Sequence, residues 1–119
     1  MKVLQINSVC GIGSTGRIAT DLYHILKEQD NECKIAYGRD VAKNIPAQDT
    51  IKIGTNLDIN VHALMTRVTD KTGFYSKKST LKLIEQIKEY NPDVIHLHNI
   101  HGYYINIDLL FNYLAKLNK

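Results

Sequence analysis

Short β-rich apolar runs alternate with longer segments whose apolar residues recur at helical spacing, and that alternation most constrains the fold. Val3–Ile6, Cys33–Tyr37, Ile51–Ile53 and Val94–His98 read as strands. Ile18, Leu22, Ile25 and Leu26 mark one helical face. Leu57, Val61, Leu64, Met65 and Val68 mark a second, Leu83, Ile84 and Ile87 a third, and Ile107, Leu110, Phe111 and Leu114 a fourth. Strands separated by helices pair in parallel through right-handed crossovers. The expected fold is therefore α/β, a Rossmann-like open parallel sheet of strand order 3-2-1-4 with helices on both faces.

The segment boundaries follow from local chemistry. Ser14 or Thr15 is expected to cap the first helix, because a hydroxyl there accepts from free N–H groups of the first turn. Asp30-Asn31 should end it, with Asn31 tolerating the left-handed conformation. Residues 39–50 are polar, contain Pro46 and read as a loop. Thr55-Asn56-Leu57-Asp58 has capping-box spacing. A polar loop is expected over 69–79 around Gly73-Phe74-Tyr75, and Asn91-Pro92 stops the third helix. The fourth strand lacks clean apolar/polar alternation, as expected of a strand covered on both faces.

A chain of 119 residues fits one domain and buries roughly two-thirds of its unfolded surface. The 44% apolar and 23% charged residues are ordinary for a globular protein. The net charge of +3 is mild and the lysines are scattered, so no nucleic-acid partner is expected. Cys10 and Cys33 lack framework spacing and suggest reduced thiols. No apolar run approaches a membrane span of about 18 residues, and no signal peptide is visible at the N-terminus. These features point to the cytoplasm, with a peripheral position at the inner membrane as the alternative.

In open parallel sheets, ligands bind beyond the carboxyl ends of the strands, where the strand order reverses. The loops after the first and fourth strands should share that rim. The first carries Gly11-x-Gly13-x-x-Gly16 followed by Arg17. Glycines let a backbone approach phosphate, a helix start offers free N–H groups, and arginine adds a bidentate cation. Gly11, Gly13, Ser14, Gly16 and Arg17 are therefore candidates for an anion, a phosphate or diphosphate. The dinucleotide form of this motif fits less well. Asn7-Ser8-Val9-Cys10 separates the strand from the first glycine, and the second strand ends Tyr37-Gly38-Arg39 without the ribose-binding acid. Arg39 would suit a 2′-phosphate, which keeps an NADP domain as an alternative. A tight turn without a ligand is another.

The second loop carries His96-Leu97-His98-Asn99-Ile100-His101-Gly102. His96 and His98 share one face of the strand. His98, Asn99 and His101 lie nearest the rim and could bond sugar hydroxyls or phosphate. His96 is expected in the core, bonded to a backbone group. Three imidazoles could accept zinc, but no carboxylate or thiol lies nearby in sequence, and no metal is assigned. His24 and His62 fall off the apolar stripes and are expected in solvent.

The opening Met1-Lys2-Val3-Leu4-Gln5-Ile6-Asn7, with the glycine loop and Arg17, resembles that of family-4 glycosyltransferases of the GT-B fold. The segment from Pro92 to Tyr104 resembles the fourth-strand region of members that build bacterial surface polysaccharides. Gly73-Phe74-Tyr75-Ser76-Lys77-Lys78-Ser79-Thr80 is similar to the same subgroup. The resemblance implies that residues 1–119 form the N-terminal, acceptor-side half of a two-domain, metal-independent, retaining transferase. No further cofactor is implied. The donor would be a UDP- or GDP-sugar, and the acceptor a glycan or lipid-linked sugar. Gly13, Ser14, Gly16 and Arg17 would meet the donor diphosphate or acceptor across the cleft, and His98, Asn99 and His101 would line the acceptor side. The family's paired-glutamate donor motif belongs to a C-terminal domain absent from this sequence, so the chain alone is expected to be inactive. The sheet edge beyond the fourth strand is expected to be exposed and open to a second copy. A free-standing nucleotide-binding or interaction module is the other reading.

Overall fold

The computed structural model describes residues 1–54, 77–100 and 104–117. Strand β1 (Lys2–Asn7) leads into helix α1 (Gly13–Glu28) and strand β2 (Glu32–Tyr37). A 3-10 turn (Ala47–Asp49) precedes strand β3 (Thr50–Lys52). Helix α2 (Lys77–Tyr90), strand β4 (Val94–Leu97) and helix α3 (Ile107–Ala115) follow. The four strands are all parallel, in the order β3-β2-β1-β4. The expected fold class and strand order are both observed.

Side-chain alternation along β1 explains the layering. Leu4 and Ile6 are fully buried against Leu83 and Ile87 of α2 and Leu110 of α3. Val3 faces the other way, toward Ala19 and Tyr23 of α1, with Cys33, Ile35 and Tyr37 of β2 beside it. Each large side chain so buried contributes about 1.5–3 kcal/mol relative to exposure, and the central strand is gripped from both sides. Helix α1 covers one face of the sheet, and α2 and α3 cover the other.

Several expected details are corrected. Helix α1 begins at Gly13 with Ile12 as its N-cap, and no side chain caps it. Ser14 and Thr15 fall inside the first turn, too late to cap it. The helix buries Gly16, Ala19, Thr20 and Tyr23, while Ile18 and Ile25 are about half exposed. Small residues on the inner stripe let α1 lie close to the sheet, and that choice of face turns the isoleucines outward. Asp30, not Asn31, takes the left-handed conformation (φ 62°) after the helix. Helix α2 starts at Lys77, inside the segment expected to be a loop, and ends before Asn91 as expected. Helix α3 is capped by Asn106, whose side chain accepts from the Leu109 N–H at 3.1 Å.

The largest correction concerns β4. Its residues alternate between exposed and half-buried, so the strand is not covered on both faces. Helix α1 sits over β1 and β2, and no described helix covers the α1 side of β4. His96 is accordingly exposed and not a core residue. The outer edge of β4 has no strand partner among the described residues. A groove of about 270 Å³ runs beside it, lined by Asp93, Val94, Ile95, Leu97, Leu114 and Leu117. His24 is exposed as expected. The segment of Leu57 to Val68 with its Thr55–Asp58 cap, His62, Gly73-Phe74-Tyr75 and His101 lie outside the described residues.

Candidate functional site at the carboxyl rim of the sheet

Two polar side chains on the α1 face of β1, Gln5 and Asn7, are fully buried and build the rim. The Asn7 carboxamide donates from Nδ2 to the Thr15 carbonyl at 3.0 Å. Its Oδ1 accepts from the Ser8 N–H at 2.9 Å and from the Asn99 N–H at 3.3 Å. One side chain therefore joins the first turn of α1 to the residue just past β4. The His98 N–H extends the β1–β4 ladder onto the Ile6 carbonyl at 2.9 Å. The glycine loop and His98-Asn99 thus open at the same rim, as strand order requires.

The glycines divide by what they do. Gly11 has φ 77°, and a Cβ there would lie 2.2 Å from the Lys43 carbonyl oxygen. Gly16 is similarly crowded, with a built Cβ 3.0 Å from the Gly11 nitrogen and 3.1 Å from Val9 Cγ2. Both serve close approach of the chain to itself, and the Gly11 N–H closes the loop on the Gly16 carbonyl at 3.2 Å. Gly13 differs. It needs glycine for φ 68°, yet a Cβ there would meet nothing within 4 Å, so the loop is open at that point. The α1 start has no acidic residue in its first turn and no capping side chain. Neither the N-cap nor the first turn therefore offers these N–H groups a capping or acidic side chain, and the positive dipole end favours an anion. Ser14 and Arg17 are exposed beside this opening.

The β2 end completes the rim. Gly38 and Arg39 N–H groups donate to the Ser8 carbonyl at 3.1 and 2.8 Å. Lys52 Nζ donates to the Gly38 and Asp40 carbonyls at 2.7 and 3.2 Å, and burial pulls its pKa down. The Tyr104 ring packs on Gly38, where a Cβ would lie 2.2 Å from Tyr104 Cγ. Its hydroxyl donates to the Asn99 carbonyl at 2.5 Å. Burial pushes the Tyr104 pKa up, so the phenol stays a donor at neutral pH. Tyr104 thereby holds Asn99 from beneath while Asn7 holds it from the side.

His98 is half-buried. Its Nε2 lies 2.6 Å from Gln5 Oε1, and its ring stacks on His96 with centroids 4.1 Å apart and planes 17° from parallel. Burial first, and the neighbouring His96 second, lower the His98 pKa. Among the described residues no group of three or more His, Cys, Asp or Glu could hold a metal ion.

Of the expected site residues, Gly11, Gly13, Ser14, Gly16, Arg17, His98 and Asn99 fall at this rim, and His101 lies outside the described residues. Sequence reasoning missed Gln5, Asn7 and Tyr104, which hold the others in place. A signal existed: a strand next to the N-terminus with polar residues at every second position, inside a fold that buries that strand on both faces. Compared with family models, curated proteins and solved structures, the chain finds no match. No helix among the described residues is long and apolar enough to cross a membrane.

Proposed function

We propose that this chain is the acceptor-side domain of a two-domain sugar transferase of the GT-B type. In this reading its carboxyl rim receives a nucleotide-sugar diphosphate at Gly13–Arg17 and a glycan or lipid-linked acceptor near His98 and Asn99. The Asn7 carboxamide carries the reading. It couples an uncapped helix start, suited to phosphate, to a strand end bearing imidazole and carboxamide groups, suited to hydroxyls. Both halves of a phosphosugar thus find complementary chemistry along one rim. The resemblance of residues 1–17 and 92–104 to family-4 glycosyltransferases points the same way. In this reading residues 1–119 by themselves are expected to bind the nucleotide sugar without turnover.

Ligands that bind only the folded state raise its melting temperature by mass action. UDP- or GDP-sugars are expected to raise the melting temperature of the purified chain, and Arg17→Ala to reduce that shift. A rise with NADPH and none with any nucleotide sugar would replace the transferase reading with an NADP domain.

A further inference from the structure

Strand β4 ends the sheet with a self-complementary edge. In a parallel sheet, the backbone of every second residue turns to the same neighbour. The His98 N–H bonds the Ile6 carbonyl of β1, so the backbones of His96 and His98 face β1. Those of Ile95 and Leu97 face outward, where no strand lies among the described residues. Edges that stay in solvent are commonly guarded by lysine or proline. The run Val94-Ile95-His96-Leu97 carries neither. The residues at its two ends are closed to pairing. The Asp93 N–H donates to the Lys2 carbonyl at 2.7 Å, and the Asn99 N–H to Asn7 Oδ1 at 3.3 Å. An added strand therefore finds its partners at Ile95 and Leu97.

A second copy of this chain meets that condition in one antiparallel register. A two-fold axis at His96 sets Ile95 of each copy opposite Leu97 of the other, and each such pair exchanges both its hydrogen bonds. An axis at Ile95 would set Leu97 against the partner's Asp93, and an axis at Leu97 would set Ile95 against the partner's Asn99. Both leave an outward residue unmatched. The side chains agree with the His96 axis. Such an axis, perpendicular to the sheet, keeps each face continuous and brings α3 beside its own copy. Lys88 Nζ lies 5.7 Å from the centre of the Tyr113 ring, which places Tyr113 on the α2 side of α3. Phe111 lies about 160° around the helix from Tyr113, toward the β4 edge, and is 43% exposed. The groove beside β4 is lined by Ile95, Leu97 and Leu114, and the partner's Ile95 and Leu97 share its face of the sheet. The Asp93 carboxylates stay about 20 Å apart, at opposite ends of the paired strands. We propose that this chain forms a two-fold dimer through antiparallel pairing of β4 about His96, joining two sheets into one. The contact covers on the order of 500 Å² per copy, near the lower limit of specific interfaces, so the dimer is reversible. The proposal does not depend on the transferase reading.

Sedimentation equilibrium of the chain from about 1 to about 500 μM should show a reversible monomer–dimer exchange. Phe111→Glu should weaken the dimer about tenfold or more, while the dilute variant melts as the wild type does. Cross-linking reads the axis. Residues opposed in a non-hydrogen-bonded antiparallel pair have Cα atoms about 4.5 Å apart, within disulfide reach. Under oxidation His96→Cys should therefore give a covalent dimer, with Cys10 and Cys33 buried and out of reach. Val94→Cys, whose two copies would lie about 14 Å apart, should not. A chain that stays monomeric across this range overturns the proposal. So does a dimer in which Val94→Cys cross-links as readily as His96→Cys. If Phe111→Glu fails to fold, the two cysteine variants decide the matter alone.

Discussion

Gly38 meets Tyr104 more closely than any other side chain allows. A methyl group there would sit 2.2 Å from Cγ and 2.4 Å from Cβ of Tyr104, atoms that cannot swing aside as the end of a flexible side chain can. Gly38→Ala should destabilise the fold by about 3 kcal/mol through overpacking, read as a fall in the denaturant midpoint. The same change should displace Asn99, because the Tyr104 hydroxyl holds its carbonyl. His98 makes a pH prediction. Its folded pKa is lowered below the ordinary 6.5, so the folded chain binds fewer protons than the unfolded chain just below that pH. Its contribution to stability is complete above about pH 6.5 and is lost as pH falls toward the folded value. Melting temperature should therefore drop on acidification through this window, and His98→Gln should flatten that drop. The glycines of the loop were legible as a cluster in the sequence, but their division was not. Only packing shows that Gly11 makes room for Lys43 and Gly16 for Val9, while Gly13 faces open space.

Helix α1 concentrates the trade between stability and binding. Ile12 stands at its N-cap with extended backbone (φ −121°, ψ 138°), the geometry in which an aspartate side chain accepts from the first turn. Ile12→Asp should raise stability by about 1 kcal/mol by supplying the missing cap. It should also abolish nucleotide-sugar binding, because the new carboxylate would occupy the donors that a phosphate needs. Calorimetric melting and binding of the same protein check both halves. Helical spacing revealed that α1 exists but misassigned its buried face. Ile18 and Ile25 are more apolar than Ala19 or Thr20, yet close approach to the sheet favours small residues, and periodicity does not register size. The β4 strand misled for a related reason. A run of Val, Ile and Leu between histidines reads as buried on both sides, although coverage depends on where α1 crosses, and α1 lies over β1 and β2.

At the scale of the molecule, the strand order followed from the sequence because right-handed crossovers leave few alternatives for such an alternation of elements. The rim followed too, since carboxyl ends of parallel strands share one side of the sheet. The tie across it did not, because Asn7 and Asn99 are 92 residues apart and only the fold brings them together. The proposed function requires that the start of α1 and the end of β4 form one binding rim. The direct test is amide mapping of the ¹⁵N-labelled chain with a UDP- or GDP-sugar. The Gly13, Ser14, Arg17 and Asn99 amides are expected to move together along one saturation curve, and Asn7→Ala to uncouple them. Nucleotide-sugar shifts confined to one of the two loops, or clustered at the opposite end of the strands around Lys2 and Lys34, would contradict it.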